Sequence, residues 1–171
     1  MASGTEVDMD PSVRFRDADP GDEPIVARFV RALAEYENLL HEAVATEADF
    51  SRALFGSPPR AHALIIEDSG GPIGVAVWFY NFSTFTGRPG LYVEDIFVTP
   101  DRRGQGIGRA VFRELARRAL ADGCERMEWW VLNWNKPAIS FYRSLGAQPM
   151  DEWTTQRLTG EALAAMAAGE R

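Results

Sequence analysis

Cysteine and histidine are scarce in this sequence. Its 171 residues include one cysteine, Cys124, and two histidines, His41 and His62. One cysteine excludes an internal disulfide, and three such residues far apart in the chain disfavour a zinc site, so no metal is expected. Neither histidine has a spacing to Cys124 that is typical of a nucleophilic pair. We therefore expect Cys124 to be a buried structural thiol.

Long hydrophobic runs and an excess of positive charge are also missing. The longest apolar run, Ile73 to Tyr80, is too short to cross a membrane and predicts a buried strand. Residues 1–12 lack the features of a secretory signal, and we expect a disordered leader on a cytoplasmic protein. The net charge of −7 disfavours nucleic-acid binding. The same charge could draw a cationic ligand towards a cleft or could serve solubility.

The hydrophobic pattern predicts one α/β (α+β) domain over residues 13–158, followed by a helical tail over residues 159–171. The predicted strands are Val13–Arg16, His62–Glu67, Ile73–Phe82, Leu91–Val98, Glu125–Leu132 and Glu152–Leu158. Helices are predicted from Asp19 to about Leu40, after a capping box at Thr46–Asp49, from the glycine-rich loop to about Ala121, and over Pro137–Leu145. Hairpins followed by a β-α-β crossover predict a mixed, mostly antiparallel sheet with helices on both faces.

The clearest chemical signal is a glycine-rich loop, Arg102-Arg103-Gly104-Gln105-Gly106-Ile107-Gly108, between a predicted strand and a predicted helix. Unpaired backbone N–H groups at a helix N-terminus attract phosphate, and glycines let the anion approach. Arg102, Arg103 and Arg109 add positive charge to an otherwise acidic chain. The alternative is a plain strand–helix turn. The spacing fits neither the P-loop nor the dinucleotide pattern.

The segment from Val98 to Gly108 resembles the coenzyme A pyrophosphate loop of the GNAT N-acetyltransferases. Its core, Arg/Gln-x-x-Gly-x-Gly/Ala, is matched by Arg103, Gly106 and Gly108. Asn133 to Gly146 is similar to the family's late motif, in which an asparagine and a helix flank the coenzyme and a tyrosine faces its thiol. The resemblance implies acetyl-coenzyme A as co-substrate. The implied coenzyme contacts are Ile96, Phe97, Val98, Arg103, Gly104, Gln105, Gly106, Ile107, Gly108, Arg109, Asn135, Lys136, Pro137 and Ala138.

Three segments resemble the diamine (spermidine/spermine) branch of the family, with its thialysine-acetylating relatives: Leu33–Glu37, Leu91–Val98 and Asn135–Tyr142. This resemblance implies a homodimer that acetylates a primary amine of a small cationic substrate, a diamine, polyamine or lysine-like molecule, by direct transfer. The implied substrate contacts are Tyr36, Glu37, Glu94, Glu128, Trp129, Trp130 and Glu152, with Asp151 as an alternative to Glu152. The open alternatives are another amine, such as a protein N-terminus, an amino acid or an antibiotic, and a non-catalytic coenzyme A-binding module.

Direct transfer needs a base and an acid. A lysine-like amine has a pKa of about 10.4 and must lose a proton before it attacks. Glu94 is the candidate base, with a charge anchor as the alternative. Neighbours on a strand point to opposite faces, so we expect only one of Glu94 and Asp95 to line the cleft. Tyr142 is the candidate acid for the thiolate, with packing as the alternative, and a backbone N–H of Ile96–Val98 is expected to polarise the thioester carbonyl.

Overall fold

Five strands form one sheet in a computed structural model of the protein, which describes residues 10–169. The strands are Arg14–Asp17 (β1), His62–Asp68 (β2), Gly71–Ser83 (β3), Arg88–Val98 (β4) and Met127–Glu128 (β5). The helices are Glu23–Tyr36 (α1), Glu47–Phe55 (α2), Ile107–Ala121 (α3), Lys136–Ser144 (α4) and Gly160–Ala168 (α5), with 3₁₀ turns at Leu40–Glu42 and Pro100–Arg102. The chain divides into two compact units, residues 1–130 and 131–171. Residues 1–9 of the predicted leader and residues 170–171 of the predicted tail lie outside the described residues.

The sheet of the first unit has the order β1-β2-β3-β4-β5. The first four strands pair antiparallel, and β5 pairs parallel to β4. The alternating apolar side chains of β2, β3 and β4 are buried on two faces. One face packs against α3, through Ile107, Val111, Leu115 and Ala119. The other packs against α1 and α2, through Val26, Phe29 and Leu54. The predicted mixed sheet with helices on both faces is therefore confirmed.

A β-bulge at Glu94 interrupts the alternation of β4. Val77 of β3 pairs with Asp95, and the register then shifts so that Glu94 is the extra residue. Val93 and Ile96 both pack on the α3 face although they are three positions apart. Glu94 and Asp95 must therefore both lie on the α1 face. The prediction that only one of these two carboxylates could line a cleft was wrong, because the period of two holds only for a regular strand.

The predicted strand Glu125–Leu132 forms only at Met127–Glu128. Its two residues pair with Leu91 and Tyr92 of β4, and the pairing stops two positions before the bulge at Glu94. A bulge twists and bends the strand that carries it. A parallel partner therefore cannot follow β4 past this point.

The first helix also ends earlier than predicted, at Tyr36 rather than near Leu40. Asn38 has a left-handed backbone, with φ of 61°, and a residue in this conformation ends a helix. The predicted capping box of α2 is confirmed, since Thr46 and Asp49 exchange side-chain to backbone hydrogen bonds. No helix among residues 10–169 is long and apolar enough to span a membrane.

The second unit contains α4 and α5 among its described residues. Asn135 caps α4, its Oδ1 accepting a hydrogen bond from the Ala138 N–H at 3.3 Å. The predicted strand Glu152–Leu158 is wrong: this segment is exposed and has no regular structure. Its two large apolar residues, Trp153 and Leu158, are five positions apart, so a strand would turn them to opposite faces and would bury neither face well.

Candidate active site

The glycine-rich loop leads directly into the N-terminus of α3. Gly104 and Gly106 both have φ of 75°, a left-handed conformation that glycine adopts without steric cost. Gly106 is the N-cap of α3, and no side chain caps the helix there. The first-turn amides and the helix dipole therefore remain available for an anion. A Cβ at Gly104 would meet no atom of residues 10–169 within 4 Å, so this part of the chain leaves open space beside the loop.

Arg102 holds the loop to the rest of the first unit. Its Nη2 lies 3.1 Å from a carboxylate oxygen of Asp68 and 3.3 Å from one of Asp10. Its Nε is buried and has no hydrogen-bond partner among the described residues. The positive charge of Arg102 is thus already matched by two carboxylates.

Arg103 is oriented towards α1. Its Nε donates a hydrogen bond to the Val98 carbonyl at 3.0 Å. Its guanidinium lies 4.8 Å from the centre of the Tyr36 ring and 5.4 Å from that of Phe97. These contacts join the first residue of the glycine-rich motif to the end of α1. The Arg103 side chain therefore makes structural contacts within the chain, which its place in the glycine-rich motif did not indicate.

Three carboxylates, Glu37, Glu94 and Asp95, form an acidic cluster on the α1 face of the first unit. Glu37 immediately follows α1 and is half-buried, while Glu94 is exposed on the bulge. Burial raises the pKa of Glu37. Asp95 is half-buried, and burial together with the nearby charges of Glu94 and Glu37 raises its pKa to about 6. Within residues 10–169 none of the three has a hydrogen-bond or ion-pair partner through its side chain.

Sequence reasoning missed Asp95 as a site residue. It named Glu94 and Glu37, which the resemblance to the diamine branch implies, and it expected only one of Glu94 and Asp95 to line the cleft. The bulge depends on how β4 pairs with β3, and no residue type in the segment Leu91–Val98 indicates it. Of the two acidic neighbours of Asp95, Glu94 precedes it on β4, but Glu37 follows α1 and is far from it in the sequence.

The three predicted substrate contacts at and after β5 contact different parts of the first unit. The Glu128 carboxylate lies 2.8 Å from Arg126 Nε and accepts a hydrogen bond from Asn81 Nδ2 at 3.0 Å. Trp129 packs against the α3-side core, its ring 4.8 Å from that of Phe112. Trp130 is exposed and meets the edge of Tyr92 at 6.1 Å. Of the three predicted residues, Trp130 is thus the most accessible to a ligand.

The remaining predicted residues of the first unit lie on β4, the loop and the start of α3. Phe97 is buried on the α1 face, and Ile96 and Val98 pack on the α3 face. Gln105 donates a hydrogen bond to the Asp101 carbonyl at 3.1 Å. Ile107 is buried, and Gly108 and Arg109 are partly exposed in the first turn of α3.

The second unit carries the other predicted residues. Tyr142 is half-buried on α4, with its ring 5.5 Å from that of Phe141. Asn135 is buried as the N-cap, and Lys136, Pro137 and Ala138 form the first turn of α4. Glu152 and its alternative Asp151 are exposed in the irregular segment before α5.

Comparison with known proteins identifies the family. The family model described as Acetyltransferase (GNAT) family matches residues 28–147 of the chain. The chain belongs to the GNAT acetyltransferase family. The predicted family and the predicted enzyme class, an amine N-acetyltransferase, are therefore confirmed.

Several curated proteins resemble this GNAT acetyltransferase over most of its length. Thialysine N-epsilon-acetyltransferase of Mus musculus is 37% identical over 167 residues, covering 91% of this chain and 98% of that protein. L-ornithine N5-acetyltransferase of Arabidopsis thaliana is 30% identical over 198 residues, covering 90% of this chain and 87% of that protein. Spermidine/spermine N(1)-acetyltransferase-like protein 1 of Homo sapiens is 34% identical over 164 residues, covering 90% of this chain and 24% of that protein.

Solved structures resemble it as well. An integron cassette protein from the mobile metagenome of V. cholerae superposes with a TM-score of 0.75 at 26% identity, covering 91% of this chain and 98% of that one. The GNAT family uses acetyl-coenzyme A as the acetyl donor. The residues present fit its pyrophosphate, because the loop offers left-handed glycines, an uncapped helix N-terminus and open space. Among residues 10–169 no group of three or more His, Cys, Asp or Glu side chains could hold a metal ion.

Proposed function

We propose that this acetyltransferase modifies a primary amine of a small substrate with two or more positive charges: a diamine, a polyamine or a lysine-like amino acid. The acidic cluster of Glu37, Glu94 and Asp95 carries the proposal. Within residues 10–169 none of the three carboxylates forms an ion pair, so their negative charge on this face of the sheet is available to a cationic ligand. A ligand with more than one ammonium group would neutralise more of this charge than a monoamine would.

The relatives support the same class of substrate. The names of two of them give thialysine and L-ornithine as the acetylated molecules, and the third is named as similar to a spermidine/spermine acetyltransferase. All four of these molecules carry at least two amino groups. The segments that resemble the diamine branch include both Glu37 and Glu94.

The proposed reaction is a direct transfer. The ammonium group loses a proton to a carboxylate, and the amine nitrogen attacks the thioester carbonyl. The C–N bond forms, the nitrogen loses its second proton, the C–S bond breaks with its electron pair on sulfur, and the thiolate takes a proton. We propose Tyr142 as the donor of that proton, although a phenol has a pKa of about 10 and a simple thiol of about 8.5, so the site must favour the donation. Acetyl-coenzyme A supplies the activated acetyl group, and the loop and the start of α3 would hold its pyrophosphate.

The experiment compares a short diamine with the monoamine of equal length, by thiol release from acetyl-coenzyme A. We expect the diamine to have the higher kcat/KM, because its distal ammonium binds to the acidic cluster. Glu37→Gln should reduce the difference in kcat/KM between the two amines. Glu35→Gln is the matched control, because Glu35 is exposed in the last turn of α1 and its substitution removes the same charge. Equal rates for the two amines, or equal effects of the two variants, would contradict the proposal.

We also propose that the enzyme is a cytoplasmic homodimer. The support is the resemblance of three segments of the sequence to the diamine branch of the family. Light scattering on the purified enzyme tests the dimer, and a monomer at micromolar concentration would contradict it. Fractionation of the cells that produce it tests the location.

A further inference from the structure

We infer that Asp95, rather than the neighbouring Glu94, takes the proton from the attacking amine, while Glu94 and Glu37 hold the positive charge of the substrate. The inference rests on the proposed function only in requiring a primary ammonium group as substrate. It assigns the two roles of the acidic cluster to different side chains. Glu94 is the residue that resemblance to the family would select as the base.

The bulge makes Asp95 eligible for this role. Because the alternation of β4 is broken at Glu94, both carboxylates lie on the α1 face, next to the end of α1. Glu94 is exposed, whereas Asp95 is half-buried in β4 and pairs across the sheet with the apolar residue Val77. The deeper carboxylate is the less hydrated one. A base that is partly shielded from water is easier to protonate than an exposed one.

The charges around Asp95 also favour proton uptake. Its negative neighbours are Glu94 on its own strand and Glu37, which immediately follows α1. Arg103 is a cation on this face, and its guanidinium lies over the rings of Tyr36 and Phe97 while its Nε donates a hydrogen bond to the Val98 carbonyl. Within residues 10–169 no cationic side chain forms an ion pair with Asp95. Two negative neighbours and no paired cation stabilise the protonated form.

The titration of Asp95 agrees with this geometry. Burial, Glu94 and Glu37 together raise its pKa from 3.8 to about 6. A general base works best when its pKa is close to the pH at which the enzyme operates. Such a carboxylate is still ionised at neutral pH and is a stronger base than an ordinary aspartate.

The proton balance is complete with groups already named. One N–H proton of the ammonium passes to the Asp95 carboxylate, directly or through one water, and its electron pair stays on nitrogen. The nitrogen attacks the acetyl carbon, the C–N bond forms, and the C–S electron pair leaves with sulfur. The nitrogen then loses a second proton as the amide forms, and the thiolate gains one. Asp95 returns its proton to solvent, so one proton is released per turnover.

The test measures kcat/KM against pH for the wild type, Asp95→Asn and Glu94→Gln, using the diamine and a fluorinated primary amine that is mostly unprotonated at the assay pH. For Asp95→Asn we expect a loss of about 100-fold or more with the diamine, the usual scale for a general base. The loss with the fluorinated amine should be much smaller, because that substrate needs no deprotonation before attack. The acid limb of the wild-type profile should disappear in this variant. Glu94→Gln should keep the acid limb, shifted to lower pH because the charge of Glu94 no longer raises the pKa of Asp95, and should mainly raise KM for the diamine.

Two further measurements separate catalysis from folding. Calorimetry with coenzyme A checks that each variant still folds and binds, and formate should partly restore the diamine activity of Asp95→Asn. If Asp95→Asn does not fold, Asp95→Glu replaces it and should retain the acid limb at a shifted pH. An equal loss on both amines would make Asp95 structural, and loss of the limb in Glu94→Gln alone would make Glu94 the base. If the wild type prefers the monoamine, the proposal of a dicationic substrate fails. The same pH profiles measured with the monoamine would then still show whether Asp95 or Glu94 is the base.

Discussion

Asp95 makes the folded protein sensitive to pH when no substrate is bound. Its pKa is 3.8 in an unperturbed chain and about 6 in the fold, so the folded state holds this proton more tightly. The contribution of Asp95 to the free energy of unfolding should therefore fall as the pH rises from about 4 to about 6 and then stay lower. A shift of this size corresponds to at most about 3 kcal/mol, since one pKa unit is about 1.4 kcal/mol.

Removing the charge at Asp95 should stabilise the ligand-free enzyme. We expect Asp95→Asn to unfold at a higher temperature than the wild type at pH 8, where the wild-type carboxylate is ionised, and to have no advantage at pH 4. Thermal unfolding followed by circular dichroism at the two pH values measures the difference. The same difference at both pH values would mean that the effect comes from packing rather than from charge.

Tyr142 tests the other proton transfer. Tyr142→Phe keeps the ring on α4 and removes only the hydroxyl, so packing against Phe141 should be preserved. We expect kcat to fall by about 100-fold, with a much smaller change in the affinity for acetyl-coenzyme A. Steady-state thiol release gives kcat, and calorimetry gives the affinity. Wild-type turnover in the variant would reduce Tyr142 to a packing residue.

At the scale of the element, the turn into α3 can be tested for its charge preference. Gly106→Asp places a carboxylate at the N-cap, where the pyrophosphate is expected, and Gly106→Asn places a neutral side chain of the same shape there. Both side chains tolerate the left-handed backbone better than most residues do, so the strain should be similar. We expect the aspartate to abolish measurable coenzyme A binding and the asparagine to weaken it less. Equal coenzyme A affinities for the two variants, measured by calorimetry, would mean that the pyrophosphate does not bind at this position.

The link between Arg103 and Tyr36 joins the loop to α1. If the arginine mainly orients the loop, Arg103→Met and Tyr36→Leu should each weaken coenzyme A binding by roughly two- to five-fold, the scale of an exposed cation–π contact. The double variant should then be little worse than either single one, because the two residues make one shared interaction. If Arg103 instead pairs directly with phosphate, Tyr36→Leu should leave the affinity unchanged. Calorimetry on the three variants distinguishes the two outcomes.

The elements that the sequence predicted well carry their signals locally. Thr46 and Asp49 mark the start of α2 within four residues, and Gly104 and Gly106 mark the turn into α3 because few other residues adopt its backbone. The bulge at Glu94 has no comparable signal, since it arises from pairing between two strands. Both the role of Asp95 and the early end of β5 follow from that pairing.

At the scale of the molecule, an acidic chain binds an anionic coenzyme and, as proposed, a cationic amine. The net charge is −7, and two of the arginines at the loop, Arg102 and Arg103, are held by protein groups. We therefore expect the backbone amides and the dipole of α3, which add no net charge, to contribute much of the anion binding. This arrangement lets the rest of the surface stay acidic, and an acidic surface speeds the encounter with a cationic substrate.

Ionic strength distinguishes this electrostatic attraction from simple shape selection. Exposed charges lose most of their influence beyond about 10 Å at 0.1 M salt and beyond about 3 Å at 1 M. We expect kcat/KM for the diamine to fall more steeply with added sodium chloride than that for the monoamine of equal length, because the diamine carries one more charge. Glu37→Gln should flatten the dependence for the diamine, and Glu35→Gln should flatten it much less. The two variants have the same net charge, so a difference between them would come from the position of Glu37 in the acidic cluster. If kcat/KM falls equally with salt for the two amines in the wild type, the enzyme is an acetyltransferase that does not attract dications electrostatically.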